Sequence, residues 1–268
     1  MSKTIFITGA GSGIGRAVAQ LFAARGWFAG LADINAAGLA ETAALLPGGR
    51  ASRHVLDVRD RGAWDLALDE FASAAGRIDV MFNNAGVAHG GPLAGNSQAE
   101  IDQLIDVNFR GVVYGAQAAY PFLKAAAPDS CLLNTCSAAG IYGSGGLAVY
   151  AATKGAVRGL TEALDGEWHA DGIKVRSLMP SFIDTPLLHG PARTGSNASK
   201  RDVVVAAGLE FTPVEQVAQA AWDAVHGNRL HTPVGKTARK MSIAARWAPG
   251  FLRERARSLV SGPTQEKD

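Results

Sequence analysis

Thr4-Ile5-Phe6-Ile7-Thr8-Gly9-Ala10-Gly11-Ser12-Gly13-Ile14-Gly15 decides the fold. Its first four residues read as a short buried strand, the glycines follow at once, and a helix-period run then sets Ala17, Val18, Leu21 and Phe22 on one side. Glycines let the backbone turn tightly and approach a pyrophosphate, and the amides and dipole of the helix start favour the anion. A plain connecting turn would need neither the strand before nor the helix after. The stretch predicts a dinucleotide site over Gly9, Ser12, Gly13, Ile14 and Gly15.

Outward from there, apolar strand-like runs near 3–8, 27–33, 52–57, 78–82, 130–136, 173–179 and 230–234 alternate with helix-period segments. Alternation of this kind predicts a parallel sheet covered on both faces. Right-handed crossovers make it a doubly wound α/β sheet of about seven strands, with the ligand at the carboxyl ends where the strand order reverses. One domain over 1–235 is expected, with a basic amphipathic extension over 236–268. The polar stretch 190–202 reads as a loop.

At 268 residues and 47% apolar content the chain can bury a large core. A net charge of +2 with mixed signs gives no sign of nucleic-acid binding. The sequence opens directly into its first strand and contains no run of 18 apolar residues, so a soluble, cytoplasmic protein is expected. Cys131 and Cys136 point to opposite faces of one strand, too far apart for a disulfide, and the six histidines are scattered. Reduced thiols and no metal site are expected.

Tyr150 and Lys154, in Val149-Tyr150-Ala151-Ala152-Thr153-Lys154, stand one helical turn apart on one face. A free tyrosine has a pKa of about 10, and a nearby cation favours its phenolate. The pair can therefore act as a proton-transfer unit. Asp33 closes the second strand about 20 residues after the glycine turn, where a carboxylate hydrogen-bonds a ribose 2′-hydroxyl and repels a 2′-phosphate. That points to NAD rather than NADP. A helix-capping role is the plainer alternative for Asp33.

The glycine spacing, Gly-x-x-x-Gly-x-Gly, departs from the common Gly-x-Gly-x-x-Gly. Together with Tyr-x-x-x-Lys it resembles the short-chain dehydrogenase/reductase family. Asp57-Val58, Asn83-Asn84-Ala85-Gly86, Asn108 and Ser137 recur in that family's order and spacing, and the likeness spans residues 3 to about 190. The resemblance implies a Rossmann-type fold. It implies that Asp57 and Val58 hold the adenine edge, and that Asn84, Ala85 and Gly86 line the adenosine ribose side and support the sheet. Asn108 perturbs its helix and holds a proton-relaying water, and Ser137 donates a hydrogen bond to the substrate oxygen. Tyr150 is the acid-base group, and Lys154 lowers its pKa and binds the nicotinamide ribose. Pro180, Ile183 and Thr185 match the segment at the nicotinamide half. Ser181 stands where the family usually has glycine, which puts the local backbone geometry in question.

The expected activity is hydride transfer between NAD(H) and a secondary alcohol or ketone. An epimerase or dehydratase retaining NAD would usually carry another glycine spacing and a larger substrate domain than fits after residue 190. A non-catalytic dinucleotide sensor would not need Asn108, Ser137, Tyr150 and Lys154 together. Segments 87–97, 138–146 and 181–210 should form the substrate pocket; Val87, His89, Ile141, Tyr142, Phe182, Leu187, Leu188 and His189 make it mostly apolar, which suits a hydrophobic small molecule. The helices near 98–126 and 149–170 resemble those that pair across a two-fold axis in the family, so a homodimer or homotetramer is expected. In the extension, seven cations from Lys236 to Arg257 face one acid, Glu254, among Met241, Ile243, Trp247, Phe251 and Leu252. The expectation is that its apolar side packs on protein; the alternatives are a pocket lid or contact with an anionic membrane surface.

Overall fold

The computed structural model describes residues 2–190, 198–206 and 208–261. Seven parallel strands form one sheet: β1 (Thr4–Thr8), β2 (Phe28–Asp33), β3 (Ala51–Val55), β4 (Val80–Asn83), β5 (Cys131–Thr135), β6 (Lys174–Pro180) and β7 (His231–Val234). Their order is β3-β2-β1-β4-β5-β6-β7, so direction of travel reverses between β1 and β4. All seven expected strands form, each within three residues of its expected bounds. The sheet is the doubly wound Rossmann type.

Side chains alternate across it. Ile5 and Ile7 face one side of β1 and Phe6 the other; Cys131 and Leu133 oppose Leu132 on β5 in the same way. On the first face lie α1 (Gly13–Ala24), α2 (Ala36–Ala44) and, entering late in the chain, the helix Val214–His226, which packs on α1. On the second lie α3 (Arg61–Ala75), α4 (Gln98–Ile105), α5 (Gly111–Ala126) and α6 (Ala148–Glu167). Short helices α7 (Pro186–His189) and α8 (Lys200–Ala206) follow β6, and the helix on α1 is α9. The last described elements are α10 (Lys236–Trp247) and α11 (Pro249–Ser261). Much of the polar stretch expected as a loop, 191–197, lies outside the described residues.

Phe6, Trp64 and Phe71 are fully buried on the second face, with Phe6 meeting Phe71 edge-on at 5.3 Å. Each such side chain contributes about 1.5–3 kcal/mol by leaving water. The two cysteines are buried and free, one in each facing cluster, as the strand geometry requires.

Because every strand is parallel, the turns after β1, β4, β5 and β6 all emerge at one edge. Between α4 and α5 the helix widens into a π-turn over Asp106–Arg110, with Asn108 at its centre. No helix among the described residues is long and apolar enough to cross a membrane.

Helix α5 lies close on the sheet and on α3 at Gly115, where a Cβ would come within 2.2 Å of Asn83 Oδ1 and 2.6 Å of the Trp64 ring. Gly115→Ala should therefore cost about 1–3 kcal/mol by overpacking. Thermal unfolding followed by circular dichroism should show a lower midpoint. An unchanged midpoint would mean that α5 sits further from the sheet.

Candidate active site

The turn after β1 is built on contact with the end of β4. The Thr8 hydroxyl accepts the amides of Asn84 and Ala85 at 3.0 and 3.1 Å, and Asn84 Nδ2 donates to the Thr8 carbonyl at 2.9 Å. Gly13 has φ +52°, and a Cβ on Gly15 would lie 2.2 Å from the Gly9 carbonyl oxygen. Only glycine fits that approach. Ser12 is the N-cap of α1 but makes no side-chain capping bond, so the first amides of the helix lack a side-chain cap.

A cleft of about 340 Å³ opens over this turn, lined by Gly9, Ser12, Gly13, Ile14, Asp33, Asp57, Val58, Asn84, Ala85, Gly86 and Thr185. Eleven of the expected cofactor residues thus share one groove. Ile34, Arg59, Val87, Gln103, Val107 and Leu187 also line it and carried no sequence motif. Gly15 lies beneath the turn, while Pro180 and Ile183 are buried, Ile183 in the core of the first face.

Asp33 accepts the Gly11 amide at 2.9 Å and the Asn35 amide at 2.9 Å. It does not cap α2; Asn35 does, accepting from the Gly38 amide at 3.1 Å. The cation nearest the turn, Arg16, is engaged by Glu41 at 2.8 Å and Thr42 at 2.9 Å. Arg59 grips Asp57 through Nε and Nη2 and holds its carboxyl below the usual carboxylate range.

Ser137 follows β5 and accepts the Ala139 amide at 3.2 Å, and its side chain neighbours Tyr150. Lys154 is 3% exposed and donates to the Thr135 carbonyl at 2.9 Å, with its ammonium 5.9 Å from the Tyr150 ring centre. Burial pushes the lysine down to about 8. Burial also pushes the Tyr150 phenol up, against the opposing effect of Ser137. In the chain alone the direction at the phenol follows burial, with the Lys154 ammonium held by the Thr135 carbonyl beside it.

Asn108 is fully buried and holds Val87 twice, accepting its amide and donating to its carbonyl, both at 2.8 Å. Gly86 lies between the two buried groups: a Cβ there would be 3.1 Å from Asn108 Oδ1 and 3.6 Å from Lys154 Nζ. Behind Lys154 the Cys136 thiol donates to its backbone carbonyl at 3.1 Å.

Of the pocket segments, 87–97 and 138–146 meet through the Gly91 amide and the Gly146 carbonyl at 2.8 Å. His89 turns to Gln103 at 2.7 Å and His189 to Asp184 at 3.1 Å. Ser181 is not among the residues with positive φ; its hydroxyl instead meets Thr212 and the Val234 carbonyl, so serine is tolerated where the family has glycine. Among the described residues no cluster of His, Cys, Asp or Glu could hold a metal ion.

A nucleotide-sized cleft at the switch point, with Tyr150 and the buried Lys154, Ser137 and Asn108 at its side, defines a dinucleotide-dependent enzyme site. A model of the short chain dehydrogenases matches residues 3–194. The chain is 36% identical over 238 residues to meso-2,3-butanediol dehydrogenase of Serratia marcescens, covering 87% of this chain and 93% of that one. It is 35% identical over 191 residues to levodione reductase of Leifsonia aquatica, covering 69% and 71%. A short-chain dehydrogenase/reductase from Burkholderia phymatum, solved in complex with NAD, superposes with a TM-score of 0.81 at 26% identity over 95% of each chain. The chain belongs to the short-chain dehydrogenase family.

Asn108→Ala removes both bonds to Val87. Hydrogen exchange at the Val87 amide should then accelerate by about tenfold or more, since one net hydrogen bond is worth about 1 kcal/mol and an unmade buried one more. Unchanged protection would show that the segment is held elsewhere.

Proposed function

We propose that this protein transfers a hydride between NAD(H) and a secondary alcohol or ketone of hydrophobic character, with Tyr150 exchanging the hydroxyl proton. The observation that carries this reading is the placement of Tyr150, Ser137 and Lys154 beside a cleft whose floor is the uncapped start of α1.

The residues present fit the dinucleotide. Gly9, Ser12, Gly13, Ile14 and Gly15 would receive the pyrophosphate at the amides that lack a side-chain cap. Asp33 would accept from the adenosine 2′-hydroxyl and repel a 2′-phosphate, with Arg16 paired to Glu41 and Arg59 to Asp57. Asp57 and Val58 would border the adenine, Asn84, Ala85 and Gly86 the ribose side, and Pro180, Ile183 and Thr185 the nicotinamide end. When bound, the nicotinamide supplies the hydride acceptor or donor.

The chain's own residues do the proton chemistry. Ser137 and Tyr150 hold the substrate oxygen; the phenol donates its proton in reduction and the phenolate accepts one in oxidation. Burial raises the Tyr150 phenol above its ordinary value, which favours the phenol over the phenolate in the chain alone. Lys154 binds the ribose hydroxyls and, once turned from Thr135, stabilises the phenolate. Asn108 fixes the segment at Val87 and completes the path by which the proton reaches solvent. Val87 and Leu187 on the cleft wall, with Ile141 and Phe182 on the segments that follow β5 and β6, would supply apolar contact for the substrate. The named activities of the relatives, on butanediol and levodione, are on secondary alcohols and ketones. We place the protein in the cytoplasm as at least a homodimer through α5 and α6, which light scattering at micromolar concentration tests.

Tyr150→Phe should abolish turnover of secondary alcohols while NADH still binds, read by NADH fluorescence; retained activity would remove the proposed role. Ketone reduction should fall, and alcohol oxidation rise, as pH increases through the Tyr150 pKa, because reduction needs the phenol and oxidation the phenolate. Steady-state rates in both directions across pH check the sign. Asp33→Ala should narrow the ratio of kcat/KM for NAD over NADP by about tenfold or more, the scale of one charged contact. A native preference for NADP would contradict the reading of Asp33.

A further inference from the structure

An amphipathic helix at a protein surface ordinarily turns its largest apolar side chains inward. In α10 the arrangement is the reverse. The exposed residues are Lys236, Arg239, Lys240, Ile243, Arg246 and Trp247, which share one face at spacings of three and four. The opposite face carries only the small buried Ala238 and partly buried residues, and packs on β7 and on the turn Ala138–Gly140 that follows Ser137. Ile243 is 65% and Trp247 75% exposed, and Phe251 at the start of α11 is 62% exposed, while Leu252 points in. Within the one chain, then, Leu252 is packed and Met241 half-buried, while Ile243, Trp247 and Phe251 are left for an occupant outside it.

Those groups are set among cations. From Lys236 to Arg257 there are seven Lys and Arg against Glu254, in a chain whose whole net charge is +2. The outward face of α10 holds four of the seven and no acid, and the Arg246 guanidinium lies 5.2 Å from the Trp247 ring centre. Lys236 reaches Glu210 at 3.1 Å, an exposed pair that water already screens. Exposed tryptophan and aliphatic side chains interleaved with lysine and arginine are the pattern of a helix lying in the headgroup region: the apolar groups enter the acyl boundary and the cations meet anionic headgroups.

We infer that α10 and the start of α11 form a docking face for an anionic lipid surface, on which the protein lies peripherally. Charge complementarity selects this occupant, and no described helix could span the bilayer instead. The inner side of the same helix rests on the turn after Ser137, so docking sets the substrate side of the molecule next to the lipid. The inference stands independently of the proposed reaction.

The test is co-sedimentation of the full-length protein with vesicles of phosphatidylcholine containing phosphatidylglycerol, against vesicles of phosphatidylcholine alone. Wild type should pellet with the anionic vesicles only, and should be released at about 1 M salt, where the Debye length is about 3 Å. Two double variants, Trp247→Ser with Phe251→Ser and Arg239→Glu with Lys240→Glu, should each bind about tenfold or more weakly. Unchanged far-ultraviolet circular dichroism and NADH binding would show that they remain folded. Absence of pelleting at low salt, or equal pelleting by the variants, overturns the inference. So does a wild-type oligomer that dissociates in the Trp247→Ser, Phe251→Ser variant without any vesicle binding, which would make a second copy of the chain the occupant.

Discussion

One carboxamide joins the two halves of this site. Asn84 donates to the Thr8 carbonyl at 2.9 Å on one side, and on the other accepts from the Thr135 hydroxyl at 3.1 Å. Thr135 in turn gives its carbonyl to Lys154 at 2.9 Å. The ends of β1, β4 and β5 are thereby fixed to one another where the strand order reverses. The glycine turn cannot shift without moving the group that holds the lysine. A lysine 3% exposed needs such a partner, since a buried charge without a hydrogen bond costs several kcal/mol.

The same economy of contacts explains the helix defect at Asp106–Arg110. An α-helix through Asn108 would leave its carboxamide buried without partners; the π-turn presents it to both backbone groups of Val87. The irregularity thus anchors the loop that leaves β4 against the floor of the cleft.

Much of this was legible in the sequence, for a physical reason. The strand before Gly9, the alternation of Ile5, Phe6 and Ile7, and the helix period after Gly13 are local signals that the sheet then uses directly. Asn108 stood out because asparagine is a poor mid-helix residue. Backbone partners were not legible: the Thr135 carbonyl and the Val87 amide have no side-chain signature. Arg59 was equally hidden, since its grip on Asp57 depends on a turn that spacing does not define. The Tyr-Lys spacing gave the shared helix face but not the direction of the tyrosine's pKa, because desolvation is a property of the packed interior. At the C-terminus, composition showed a basic apolar segment, and only the fold could show that its large apolar groups face outward with the cations.

The central claim is net hydride transfer at a site where the glycine turn and the Tyr150–Lys154 pair act together. The direct measurement is to supply a secondary alcohol deuterated at its carbinol carbon together with NAD⁺, and to follow the label by mass spectrometry. Appearance of one deuterium in NADH for each ketone formed is the predicted result. An alcohol that returns with its carbinol carbon inverted and no accumulation of NADH, or one that keeps its label unchanged across the substrate class while NAD⁺ binds, would contradict the account.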